Sequence, residues 1–168
     1  MTFILDNDYP DDADPSLLKG QFEAYYRYLE AVRKRLPMSA YTFATAPWHY
    51  DHYDPQCPHD SWVESLTLQE IVSDIEPTNR ELRIALRLLG AYHDGHLELV
   101  YLQVRSYSLS LPREFEGPPP GIMGHGDWLV DEIRLSDVGL VVHEIEFSRG
   151  GRWLIECADV ECKWHQLE

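Results

Sequence analysis

Cysteine is scarce in this chain of 168 residues, and its three thiols cannot all pair with one another. They are Cys57, Cys157 and Cys162, and no Cys-x-x-Cys pair of the kind that binds zinc occurs. Reduced thiols are typical of a reducing compartment, so the sequence predicts a cytoplasmic protein. Cys157 and Cys162 are predicted to be small, buried hydrophobic residues.

Basic residues are also few, because 14 Lys and Arg stand against 29 Asp and Glu and give a net charge of −15. Binding to nucleic acid or to an anionic membrane depends on Lys and Arg contacts with phosphate, so this balance argues against both. No apolar run reaches the length of a membrane span, and the first ten residues carry aspartate where a signal peptide needs positive charge. A basic protein is the complementary partner, although acidity also serves solubility alone.

The motifs of several large enzyme classes are missing. The chain has no Walker loop, no Rossmann glycine pattern, no Gly-x-Ser-x-Gly elbow and no HExxH helix. We therefore expect no nucleotide or other cofactor of these classes. The length fits a single domain over 1–168, with an acidic segment at 1–14 and a Pro/Gly loop at 112–127.

Residues 15–36 carry the strongest helical pattern in the chain. Apolar side chains recur there at spacings of three and four, namely Leu18, Phe22, Tyr25, Leu29, Val32 and Leu36. Pro15 suits the first helical position after Asp14, and Pro37 ends the pattern. The sequence predicts one long amphipathic helix whose apolar stripe belongs to the core.

Most of the remaining chain alternates between apolar and polar residues, as strands do. The predicted strands are 40–46, 62–69, 81–92, 96–111, 128–135, 140–147 and 152–164, with a type I′ turn at Asp94-Gly95. We expect an α+β fold in which the N-terminal helix packs on a mostly antiparallel, curved sheet of about seven strands. The sheet forms either a half-barrel or a two-layer sandwich.

The last third of the chain is predicted to be a β-meander with one apolar and one acidic face. Like charges opposite each other destabilise a sheet, so a surplus of acids indicates a surface that faces a partner, with a solvated outer face as the alternative. The predicted partner-binding residues are the acids of these strands, Asp131, Glu132, Glu144, Glu146, Glu156 and Glu161.

The segment 47–60 supports a different function, that of a metal-assisted hydrolase. It is dense in groups that bind metal ions, namely His49, Asp51, His52, Asp54, Cys57, His59 and Asp60. Such an enzyme also needs a general base and an oxyanion-stabilising group, and His59 and Asp60 are only generic candidates for these roles. The spacing fits no zinc-site pattern, and Pro-rich loops collect polar residues for turn chemistry, so we expect no tight metal site.

Three further histidines, outside the segment 47–60, are candidates for function. His143 lies on the apolar face of a predicted strand, where a buried, hydrogen-bonded histidine is commoner than a catalytic one. His93 and His96 flank the Asp94-Gly95 turn and are predicted to face solvent.

Short blocks within 58–164 resemble a known group of proteins. They are Pro58-His59-Asp60-Ser61 before a strand, Asp131-Glu132, His143-Glu144-Ile145, and the Gly150-Gly151 turn shortly before an aromatic residue. These blocks are similar to small β-rich bacterial proteins grouped with the immunity proteins of polymorphic toxin systems. The resemblance implies a non-enzymatic binder that neutralises a toxin. A structural or assembly subunit, whose exposed edge strand pairs with another chain, is a third alternative.

Overall fold

The computed structural model of the chain describes residues 2–5, 15–72, 76, 78–111 and 124–167. Its described elements are α1 (Pro15–Val32), α2 (Met38–Ala44), β1 (Trp62–Val72), β2 (Arg80–Leu89), β3 (Gly95–Leu102), β4 (Ser106–Leu109), β5 (Trp128–Leu135), β6 (Val141–Phe147), β7 (Arg152–Cys157) and β8 (Asp159–Gln166). The strand pairs are antiparallel. The predicted α+β class is confirmed, whereas the prediction of one curved sheet is wrong.

The strands form two four-stranded sheets, ordered β1-β2-β3-β8 and β4-β7-β6-β5. The pairs β3–β8 and β4–β7 meet at a corner, where the N–H of Ala158 donates to the carbonyl of Leu102. The predicted meander holds for β5, β6 and β7. β8 differs, because it leaves that sheet after Ala158 and pairs with β3 in the other one.

Apolar side chains from both sheets and both helices meet in one buried cluster. In β6, Val141, His143, Ile145 and Phe147 are all buried, as their alternation predicted. Burial of a large apolar side chain contributes about 1.5–3 kcal/mol, so this cluster is the main source of stability.

The apolar stripe of α1 lies in the core as predicted. Tyr25, Leu29 and Val32 are buried, and Phe22 is half-buried. The helix is shorter than predicted, because it ends at Val32 and the chain turns before the buried Leu36. The proposed cap Asp14 and the side chain of Leu18 lie outside the described residues.

The predicted strand at 40–46 is wrong, because Met38–Ala44 forms α2. Ala40, Phe43 and Ala44 are buried, and their spacing of three and four is that of one helix face. Pro37 precedes the helix, a position at which its fixed φ does no harm. The alternation of Tyr41, Phe43 and Thr45 resembled a strand but was incidental.

The type I′ turn predicted at Asp94-Gly95 is also wrong. Five residues, 90–94, join β2 to β3, and the residue with positive φ is His93, at 57°. Gly95 belongs to β3, where a Cβ would collide with the ring of Trp164. Glycine is therefore needed at position 95 because the ring of Trp164 packs directly against its backbone, and not because of a turn.

Most of the predicted acidic segment 1–14 and of the Pro/Gly loop 112–127 lies outside the described residues. At the start of the chain, 2–5 is described and lies beside β5. Ile4 and Leu5 are buried there, and the N–H groups of Phe3 and Ile4 donate to the carboxylate of Glu132.

Candidate functional site

The most polar part of the core is a cluster centred on Asp131 of β5, which we call the buried carboxylate cluster. The carboxylate of Asp131 lies 3.0 Å from Nε2 of His49, 2.9 Å from Nε2 of His143 and 3.0 Å from Nε1 of Trp128. On its far side, His143 contacts the hydroxyl of Tyr101 through Nδ1, at 2.9 Å. The cluster therefore ties the loop after α2 to β3, β5 and β6.

The hydrogen-bond partners assign the protons in this cluster. Nδ1 of His49 lies 2.8 Å from the carbonyl oxygen of Phe43, which only accepts, so Nδ1 carries a proton. Burial alone would raise the pKa of Asp131, but the charge of His49 and the hydrogen bonds from His143 and His49 lower it below the ordinary range. Nε2 of His49, on the other side of the ring, lies 3.0 Å from both carboxylate oxygens of Asp131.

His143 completes the hydrogen bonding of the cluster. Its Nε2 lies 2.9 Å from Asp131, and its Nδ1 lies 2.9 Å from the Tyr101 hydroxyl. Buried polar groups are stable only when hydrogen bonds satisfy them, and here every polar atom named has a partner.

The buried carboxylate cluster is sealed from solvent. The side chains of His49, Asp131 and His143 are at most 1% exposed. A catalytic group must touch its substrate, and these groups do not reach the surface. Of the two alternatives for His143, the structure therefore has the buried, hydrogen-bonded histidine.

The metal-ligand candidates of the loop 47–60 point in different directions. His49 faces Asp131, and the thiol of the buried Cys57 donates to the backbone carbonyl of His49. His52 and His59 stack on each other with ring centres 3.9 Å apart, and Nδ1 of His59 donates to the carbonyl of Leu129. Within the described ranges, no three His, Cys, Asp or Glu side chains are grouped to hold a metal ion.

The three cysteines are unpaired thiols, and Cys57 and Cys157 are buried. Burial raises the pKa of Cys57 to about 11 and those of Cys157 and Cys162 to about 12. The thiolate is the reactive form of cysteine, so near pH 7 these side chains are poor nucleophiles.

Three of the six predicted partner-binding acids are buried. Asp131 is in the cluster, Glu132 accepts from the N-terminal segment, and Glu144 pairs with Arg134 and Arg152. Burial raises the pKa of Glu132, with the N–H groups of Phe3 and Ile4 opposing this shift. Carboxylates enclosed in this way do not present charge to a partner.

The other three acids do not share one surface. Glu146 and Glu156 are half-buried on the outer face of one sheet, where Arg152 also pairs with Glu146. Glu161 is exposed on β8, which belongs to the other sheet. The single acidic face predicted for the meander is therefore wrong, because β8 changes sheets and Arg134 and Arg152 neutralise part of the remainder.

A different surface combines exposed aromatic rings with acids, and we call it the aromatic–acidic end. It consists of 51–62, 90–94 and 127–129. The hydroxyl of Tyr92 donates to the carbonyl of His52 at 3.0 Å, and Nε1 of Trp62 donates to Asp127 at 2.8 Å. The ring of Trp62 contacts that of His93, with 4.6 Å between centres. These contacts make the three segments one continuous surface.

The composition of the aromatic–acidic end differs from that of the whole chain. Tyr53 is 90% exposed, Tyr92 55% and Trp62 49%. The three segments contain no Lys or Arg, and their acids are Asp51, Asp54, Asp60, Asp94 and Asp127. From the sequence, 47–60 was interpreted as a possible metal site. Its aromatic side chains and its lack of Lys and Arg indicate a binding surface instead.

No protein-family model matches the chain, and no curated protein matches it. Among the described residues, no helix has both the length and the apolar character needed to cross a membrane.

Proposed function

We propose that this protein is a non-enzymatic binding protein whose partner is a basic protein, docked on the aromatic–acidic end. The observation that carries the proposal is the coincidence of three exposed aromatic rings with the exposed carboxylates of Asp51 and Asp60, in segments that contain no Lys or Arg. Aromatic side chains are the commonest binding hot spots, and complementary charge speeds encounter and selects partners.

The chemistry of the surface favours arginine in the partner. A guanidinium group stacks on tyrosine and tryptophan rings and pairs with carboxylates at the same time. Tyr53 and Tyr92 offer such rings, and Asp51 and Asp60 offer the carboxylates. Neutralisation of a basic toxin, the role implied by the resemblance to immunity proteins, is the kind of binding that fits this surface.

The metal-assisted hydrolase is the weaker alternative. Its histidine and thiol candidates are divided between the core and the surface, since His49 and Cys57 are buried while His52 is exposed. The binding proposal accounts for the same loop through its exposed Tyr53 and its acids.

The proposal is tested with hexa-arginine peptide as the probe. We expect the double variant Asp51→Asn, Asp60→Asn to bind it at least about tenfold more weakly, because two carboxylates that face the guanidinium groups lose their charge. Affinity is measured by titration calorimetry at about 20 mM and about 200 mM salt, and it should fall at the higher salt.

The matched control is the double variant Glu156→Gln, Glu161→Gln, which removes the same charge from other surfaces. It should change the affinity by less than about twofold, since these side chains lie outside the docking surface. Equal losses in both double variants would mean that only net charge matters, and the aromatic–acidic end would then have no special role.

A further inference from the structure

Three of the four edge strands of the two sheets are covered or short. β5 is an edge strand, and tyrosine hydroxyls bond to its outward backbone groups. Tyr25 bonds to both the N–H and the C=O of Ile133, Tyr28 accepts from the N–H of Leu135, and Tyr50 donates to the carbonyl of Asp131. α2 packs beside the edge strand β8, and the edge strand β4 has only four residues. Covering or shortening an edge prevents pairing with other chains.

β1 is the remaining edge, and no described segment of the chain covers it. It is 11 residues long, and all of its side chains are exposed or half-buried. Trp62 forms a bridge with Asp127, but from Val63 to Val72 no described residue outside the sheet bonds to the strand backbone. Three apolar side chains are exposed there, with Leu68 at 42%, Ile71 at 42% and Val72 at 51%.

The charge around this edge is balanced, unlike that of the whole chain. β1 and β2 carry three acids and three bases, namely Glu64, Glu70, Glu81, Arg80, Arg83 and Arg87. Glu64 pairs with Arg87 and Glu70 with Arg80, both at 3.0 Å. A neutral edge does not repel an identical edge, even though the chain as a whole carries −15. It also offers no excess charge to a basic partner, so a second copy is the occupant it fits.

We propose that β1 pairs antiparallel with β1 of a second copy of this chain and extends the sheet β1-β2-β3-β8 across a two-fold axis. Each strand supplies the backbone partners that the other lacks, as in other cases of strand addition. This dimer contact is separate from the aromatic–acidic end and does not depend on the proposed function.

The side chains select a register centred on Leu68. With Leu68 opposite Leu68 of the second copy, residues 65–71 of the regular part of the strand pair with one another, and no two acids face each other. Centring on Thr67 would place Glu64 opposite Glu70, and like charges opposite each other are unfavourable in a sheet. Registers that would pair Trp62 with the second copy are unfavourable, because Trp62 already bridges to Asp127 and the bulge between Val63 and Ser65 interrupts the strand there.

Sedimentation velocity of the full chain tests this dimer contact. Concentrations up to about 0.5 mM are needed, because an interface made by one strand from each copy is small and therefore weak. The wild type should sediment with twice the mass of one chain at the upper concentrations. Leu68→Glu places two carboxylates at the axis and should raise the dissociation constant at least about tenfold. The control Val138→Glu, at an exposed turn position, adds the same charge elsewhere and should leave the dimer unchanged.

A monomeric wild type throughout this range, or a Leu68→Glu variant that dimerises normally, overturns the proposal. Oxidation of Leu68→Cys provides a test that does not depend on the stability of the Glu variant. A covalent dimer should form with Leu68→Cys and not with Val138→Cys on a non-reducing gel. If the wild type is dimeric but Leu68→Cys does not cross-link, the register centred on Leu68 is wrong.

Discussion

Replacing Asp131 by alanine should lower the free energy of unfolding by about 3–5 kcal/mol, because each buried polar group left without its hydrogen-bond partner costs about 1–3 kcal/mol. In the variant, Nε2 of His49, Nε2 of His143 and Nε1 of Trp128 lose their shared partner. The measurement is chemical denaturation near pH 7. Asp137→Ala, at an exposed turn position, is the control and should change stability by at most about 0.5 kcal/mol.

The same pair of proteins tests the pH dependence of the cluster. Folding lowers the pKa of Asp131 below its value of about 4 in the unfolded chain. The contribution of the ionised carboxylate to stability is therefore fully present above about pH 4 and is lost as the pH falls below that value. The difference in stability between the wild type and Asp131→Ala should therefore shrink as the pH is lowered from about 5 towards 2. A difference that stays constant over this range would mean that Asp131 is not held ionised by the fold.

Replacing Tyr25 by phenylalanine should lower the free energy of unfolding by about 2–4 kcal/mol, because one hydroxyl serves two backbone groups. It donates to the carbonyl of Ile133 at 3.1 Å and accepts from the N–H of the same residue at 2.7 Å. Tyr25 is fully buried, so water does not replace the lost hydroxyl without rearrangement. Chemical denaturation again provides the measurement.

Tyr26→Phe is the matched control for this variant. Tyr26 follows Tyr25 in the helix and is 41% exposed, so loss of its hydroxyl should cost less than about 0.5 kcal/mol. Hydrogen exchange adds a local readout, since the amide of Ile133 should exchange faster in Tyr25→Phe. If Tyr25→Phe were as stable as the wild type, the hydrogen bonds from the Tyr25 hydroxyl to the edge of β5 would not contribute to stability.

The fold class and most strands followed from alternation and helical spacing, because these patterns report directly which side of an element is buried. The position of β8 did not follow, since the strand continues the apolar alternation of β7 and only the corner at Ala158 directs it to the other sheet. α2 was missed because seven residues of small and aromatic side chains fit both periods.

The candidate site was predicted less well than the fold. Asp131 was grouped with the surface acids, although alternation along β5 places it on the same face as Ile133, which is buried. The bulge between Trp128 and Val130 brings Trp128 to that face as well, and a bulge of this kind has no reliable sequence signal. His96, predicted to face solvent, lies in β3 and is 7% exposed, since its Nε2 contacts Glu64 across the sheet.

Mapping the docking surface by NMR tests the central claim of this account, that the aromatic–acidic end binds a basic partner. Hexa-arginine peptide is titrated into ¹⁵N-labelled protein, and changes in the amide shifts are followed. We predict that the largest changes fall within 51–62, 90–94 and 127–129 and that they disappear at about 0.5 M salt, where charges are screened within a few ångströms. Changes centred instead on Glu146, Glu156 and Glu161, or spread evenly over all exposed acids, would contradict the claim.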